Sequence, residues 1–216
     1  MGDSMRKAKF AAVIAAAVTL AGCKTTVNSE VAVSDLLSGQ SKDLPGALYV
    51  EVAGCNDFED SRKPSKTLLD VQQKVPGVFP AAEFKECFTQ KMTSYAHFSM
   101  PLFLDLDQDG KLGSEKTINV LSNDTAVLAL AVPDGIQKQI ANAKNGPIGN
   151  SLKLTVSMKI TNDTREVFRF SVGSAYIDDT PVIDSVLSAP PGASFTVRLS
   201  DVAVDAAVAG KDPAVL

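Results

Sequence analysis

Residues 152–160 alternate without a break, with Leu152, Leu154, Val156, Met158 and Ile160 set against Lys153, Thr155, Ser157 and Lys159. That period of two predicts a half-buried strand. Asn162-Asp163 then supplies turn chemistry, and residues 167–177 return as a second strand, so the pattern predicts a hairpin. Leu48, Val50 and Val52 alternate with Tyr49 and Glu51 in another strand that ends at Gly54-Cys55. Residues 83–104 are rich in Phe, Thr and Tyr, with Ala96, Phe98 and Met100 sharing one face of an extended chain. Residues 117–121 and 125–132 read as two strands around Ser122-Asn123-Asp124. The unbroken apolar run 127–132 marks the second as central and covered on both faces. Phe195, Val197 and Leu199 alternate again, and Val202, Val204 and Val208 suggest a last strand. A weaker alternation, Val27, Val31 and Val33, runs through 24–34, a tether that becomes an edge strand.

Helical spacing is confined to short stretches. Residues 34–37 suit a single turn. Leu68, Val71 and Val75, beside Leu69, form a stripe that Pro76-Gly77 stops. Ile136, Ile140 and Ala143 form another after Pro133-Asp134, and Asn145-Gly146-Pro147 ends it. Pro190-Pro191-Gly192 breaks the chain, and no internal repeat is present. Strands with two short helices between them define an α+β class built on an antiparallel or mixed sheet.

Composition narrows the function classes. The chain has 216 residues, 45% of them apolar, and a net charge of -4, which excludes a disordered or low-complexity chain. A pI near 5.0 gives no footprint for nucleic acid. One His and three Cys are too few for a Cys/His zinc site. The absence of Trp and the 6% aromatic content argue against a sugar-stacking groove.

The amino-terminal segment specifies an address. Arg6, Lys7 and Lys9 precede an apolar run, residues 10–20, which closes on Leu20-Ala21-Gly22-Cys23. The run is too short to span about 30 Å of hydrocarbon but matches the apolar region of an export signal. Met5 lies directly before the basic residues and is a second candidate start beside Met1. Leu20-Ala21-Gly22-Cys23 resembles the lipobox of bacterial lipoproteins. The resemblance implies diacylglycerol on the Cys23 sulfur, cleavage between Gly22 and Cys23, and acylation of the new amino terminus. Three acyl chains suffice for stable membrane anchoring. In that family an Asp after the lipidated Cys retains the protein in the inner membrane, so Lys24 implies the outer membrane, facing the periplasm or the cell surface. The expected organisation is a signal peptide at 1–22, a lipidated tether at 23–34 and a periplasmic α+β domain at 35–216, with sub-lobes 35–121 and 122–216. Removing 1–22 moves the net charge from -4 to -6. An acidic body is repelled by anionic lipid, so the lipid must hold it to the membrane.

Export also decides how Cys55 and Cys87 are read. In an oxidising compartment an even pair is most simply a disulfide, here closing a loop of about 33 residues and stabilising by about 3.7 kcal/mol. The alternative, a reactive thiol, lacks a C-x-x-C partner or a nearby base, since His97 is ten residues beyond Cys87.

The candidate chemistry centres on 105–112. Asp105, Asp107 and Asp109 stand at alternate positions before Gly110, and the Lys111 carbonyl follows, as in the first half of a calcium loop. The segment resembles EF-hand and dockerin loops, but Lys116 holds the place of the bidentate Glu and Glu115 is one residue early. Two readings stand: an acidic β-hairpin turning at 107–110, and a weak calcium site built on Asp105, Asp107, Asp109, Lys111 and Glu115. Asp178, Asp179 and Asp184 read as solvated loop carboxylates rather than an acid/base pair. His97 falls on the face opposite Phe98 and Met100. Asn162-Asp163-Thr164 is formally a glycosylation sequon, but reads as a turn. No nucleophile–base set is present and no cofactor is implied beyond weak calcium. These features predict a non-enzymatic lipoprotein displaying a domain to an envelope protein partner, similar in architecture to bacterial and temperate-phage envelope lipoproteins. The alternatives are a periplasmic module for a small ligand or divalent cation, and a carboxylate hydrolase.

Overall fold

A computed structural model describes residues 24–106, 111–122, 129–144, 153–211 and 214–215. The chain order is β1 (Lys24–Ala32), α1 (Val33–Leu37), β2 (Lys42–Leu44), β3 (Gly46–Val52), α2 (Lys66–Val78), β4 (Glu83–Gln90), β5 (Thr93–Ser99), β6 (Leu102–Asp105), β7 (Asn119–Leu121) and β8 (Ala129–Ala131). It continues with α3 (Asp134–Lys144), β9 (Lys153–Thr161), β10 (Phe168–Ile177), β11 (Thr180–Ala189), β12 (Ser194–Leu199), α4 (Asp201–Val208) and β13 (Ala214–Val215). Two mixed sheets result. The larger has the order β11-β10-β12-β9-β1-β3-β5-β4 and the smaller β13-β8-β7-β6-β2. The α+β class therefore holds, with four short helices among the described residues where periodicity gave two.

The alternation in β9 translates directly into burial. Leu154, Val156, Met158 and Ile160 are buried, and so are Leu48, Val50 and Val52 of β3 and Ala96 and Phe98 of β5. These side chains share the inner face of the larger sheet and form one core with Leu102 and Leu104 of β6, Ile136 and Ile140 of α3, and Val204 of α4. Strands from both sides of position 121 occur in each sheet. Helix α2 packs on β3, β4 and β5, and α4 on β9.

Four expectations are corrected. Residues 24–32 are not a tether leading to an edge. β1 lies inside the sheet, antiparallel to β3 (Thr25↔Val50) and parallel to β9 (Lys24↔Lys153), where two flanking strands satisfy the backbone of a weakly apolar segment. β9 and β10 do not pair as a hairpin, because β12 inserts between them. The valines at 202, 204 and 208 belong to a helix. The Ser200 side chain caps it by accepting from Ala203 N–H, and Val204 and Ala207, three residues apart, face the core. Helix α2 runs through Pro76 to Val78, since a proline in the last turn removes a single donor and Phe79 N–H closes the end on the Val75 carbonyl.

The Cys55–Cys87 disulfide is present, with Cα atoms 5.6 Å apart. Cys55 follows β3 and Cys87 lies within β4, opposite Ala96 of the intervening β5. The bridge thus ties the loop after β3 to an edge strand. Cys23 lies outside the described residues.

Candidate functional site

Asp105 ends β6 and is almost fully buried. Its Oδ2 accepts the Gly113 N–H at 2.7 Å, and its carbonyl accepts Ser122 N–H at 3.1 Å. The sequence permits this close return because residue 113 is a glycine. A Cβ there would lie 2.2 Å from the Phe103 ring and 3.1 Å from Asp105 Oδ2. Beyond it, buried Asn119 accepts Ser114 N–H at 2.9 Å and donates to the Ser114 and Thr117 carbonyls at 2.7 and 3.1 Å. The Thr117 hydroxyl donates to the Pro101 carbonyl. Segment 111–119 is therefore pinned at both ends by buried side chains.

This geometry overturns the hairpin reading of 105–112. β6 and β7, the strands on either side, run parallel (Leu104↔Val120), and parallel neighbours require a crossover rather than a tight turn. Of the five proposed calcium ligands, Asp105 is buried, Lys111 and Glu115 are exposed, and Asp107 and Asp109 lie outside the described residues. Among the described residues no three His, Cys, Asp or Glu side chains cluster as a metal site.

The outer face of the larger sheet carries a second feature. Tyr49 of β3 stacks on His97 of β5 with centroids 4.9 Å apart. Phe88 meets the edge of Tyr49 and approaches Tyr95, while Glu86 Oε1 lies 3.4 Å from His97 Nδ1. Beside this aromatic patch runs an open groove of about 660 Å³, lined by Asn28, Glu30, Tyr49, Ser157, Lys159 and Thr196 among others. Arg198 stands over the Tyr176 ring, 3.8 Å from its centroid. Sequence reasoning placed His97 on this face, but missed the aromatic patch. Its members come from three strands whose order in the sheet no local pattern encodes.

The remaining carboxylates singled out in the sequence lie on the β10–β11 ribbon and in the turns beside it. Asp178 and Asp179 form the β10–β11 turn with φ of 44° and 68°, and Asp178 Oδ1 accepts Thr196 N–H at 2.8 Å. Asp184 is exposed in β11. Asn162 is fully buried, and its side chain bonds its own turn and the end of β11. Nδ2 donates to the Glu166 and Ala189 carbonyls at 2.8 and 2.7 Å, and Oδ1 accepts from Thr164 N–H and its hydroxyl. Next to it, Asp163 accepts both the N–H and the hydroxyl of Ser34, and the Ser34 hydroxyl, then its N–H, hold that carboxyl below the usual range. At the opposite end of β9, Lys153 Nζ lies 2.6 Å from Asp201 Oδ2, which raises the Lys153 pKa.

No helix among the described residues is long and apolar enough to cross a membrane. No curated protein and no solved structure matches the chain. One family does match, over residues 25–215, which takes in all the strands described above but for Lys24 at the start of β1: the chain belongs to the DUF7424 family, a domain of unknown function.

Proposed function

We propose that this chain is a lipid-anchored protein of the bacterial envelope, held at the outer membrane through Cys23, that presents its α+β domain to an envelope protein partner without catalysing a reaction. The observation that carries the reading is the order basic, apolar, Leu20-Ala21-Gly22-Cys23 at the head of the chain, the arrangement an export signal with a lipid acceptor requires. The Cys55–Cys87 disulfide supports it, because such a bond persists in an oxidising compartment. Growth with an alkyne-tagged fatty acid tests it. The wild-type chain takes up label and a Cys23→Ala variant takes up none; label persisting in the variant, or absent from the wild type, contradicts the reading.

A second reading, a periplasmic module for a divalent cation, is favoured by Asp105. This carboxylate opens an acidic repeat, is buried, and already organises the backbone of the loop that follows. A calcium titration by calorimetry tests it. Heat in the millimolar range, lost in Asp105→Asn, supports the module, and a flat titration removes it.

A further inference from the structure

The four most exposed large apolar side chains among the described residues are Phe58 and Met92, both fully exposed, Ile183 at 88% and Val202 at 80%. They are far apart in sequence, yet the topology brings them to one end of the larger sheet, the end at which β1 begins. Thr25 pairs with Val50 and Val52 with Ser94, so the β4–β5 turn carrying Lys91 and Met92 projects beside Lys24. Phe58 sits on a loop with both feet there, Ser65 N–H bonding the Cys55 carbonyl just past β3. Lys24 is also level with Lys153, whose ammonium pairs with Asp201 at the start of α4, and Val202 follows. Ser200 N–H bonds the Ser174 carbonyl, and Ile183 lies across from Ser174, between the Gly173↔Asp184 and Ala175↔Val182 pairs. At the opposite end the exposed apolar side chains are Leu37 and Val167, at 64% and 55%.

Turn chemistry does not account for the residues at the tip. Lys91 and Met92 both hold positive φ, 47° and 68°, a two-residue turn conformation that favours Asn and Gly and costs energy in long side chains. The other such turn in the sheet uses Asp178-Asp179, a residue type that tolerates this region. A cation beside a fully exposed apolar side chain suits an interfacial contact, with the amine at headgroup level and the thioether among the acyl chains.

We infer that this end of the sheet rests on the bilayer, with Phe58, Met92, Ile183 and Val202 dipping into the interface. The inference depends on the lipid anchor at Cys23 and extends it. Cys23 directly precedes the first residue of an interior strand, so the anchor is about 3.8 Å along the chain from Lys24 and leaves the domain no slack to stand away from the membrane. The acidic domain is thereby presented in a fixed orientation, with the Leu37 and Val167 end pointing away from the lipid.

The chain contains no Trp, so a single introduced Trp reports its own depth. The chain from Cys23 to Leu216, which carries every described element, is coupled to a maleimide lipid through Cys23, the one thiol left once Cys55 and Cys87 are bridged. It is bound to vesicles of phosphatidylethanolamine and phosphatidylglycerol, with or without brominated acyl chains. Phe58→Trp, Met92→Trp, Ile183→Trp and Val202→Trp are each expected to shift to the blue and lose fluorescence in brominated vesicles, while Leu37→Trp and Val167→Trp do neither. The six positions are exposed, and the melting temperature of each variant verifies its fold. Equal quenching at both ends, or none at the four tips, overturns the orientation. Because the lipid is attached chemically, that result is separate from the fatty-acid labelling, which alone decides whether cells modify Cys23.

Discussion

Where β1 finishes, the larger sheet is closed by side chains that satisfy one another. Asn162 fills its turn with four hydrogen bonds, Asp163 reaches across to Ser34, and Lys42 pairs with Asp35. Where β1 begins, the sheet ends in exposed apolar tips, and the Thr25 Oγ1 is buried without a hydrogen-bond partner among the described residues. This second end also has a covalent lock, the Cys55–Cys87 bond beneath β5. The contrast teaches a division of labour. One end holds the fold with polar bonds, buried at Asn162 and exposed at Asp163 and Lys42, and the other combines an exposed apolar surface with a disulfide.

Removing the covalent lock should have the largest effect. A Cys55→Ala/Cys87→Ala variant is expected to lose about 3–4 kcal/mol in denaturant unfolding. Amide exchange should rise in β4 and the loop 53–65 and stay slow around Asn162; uniform loosening would break the comparison. Next, Asn162→Ala leaves the Ala189 and Glu166 carbonyls and the Thr164 N–H without their partner, and should cost about 3 kcal/mol. Its exchange signature is the reverse, with the β9–β10 connection opening first.

Thr25→Val should act in the opposite direction. It replaces a buried, unbonded hydroxyl by a methyl of the same shape and is expected to stabilise by about 1 kcal/mol; a destabilised variant would mean that the hydroxyl has a partner. The smallest effects are in pH dependence, and the two ends titrate from opposite sides. The Asp163 pKa is lowered in the fold, so its contribution is present above the unfolded value near pH 4 and is lost as pH falls through the lower folded value. The Lys153 pKa is raised, so its contribution is complete below about pH 10.4 and is lost as pH rises through the higher folded value. Asp163→Asn should flatten only the acid limb of a stability profile, and Lys153→Met only the alkaline limb. Crossed effects would show that the ends are not independent.

What the sequence made legible follows from locality. The burial of Leu154, Val156, Met158 and Ile160, the α3 stripe of Ile136 and Ile140, and the strand at 46–52 needed only a period and a stop signal. The disulfide followed from the count of cysteines once an exported chain was inferred. What stayed hidden was non-local. Nothing within residues 24–32 says that they will lie between β3 and β9, and nothing around Asn162-Asp163 says that a strand from 194–199 will separate the two that this turn connects. The error at 202–208 has a local cause, since valines at 204 and 208 fit a helical face as well as a strand, and the cap at Ser200 decides between them. The apolar tips were invisible for the first reason, because Phe58, Met92, Ile183 and Val202 come to one end of the sheet only through the order and direction of the strands.

The central claim is that the working protein begins at a lipid-bearing Cys23 directly joined to β1. Intact mass spectrometry of the chain purified from the membrane fraction tests it most directly. The account predicts a polypeptide that starts at Cys23 and carries the added mass of a diacylglycerol and an amide-linked acyl chain. An unmodified polypeptide that still begins at Met1 or Met5, or one cleaved elsewhere and free of lipid, would contradict it.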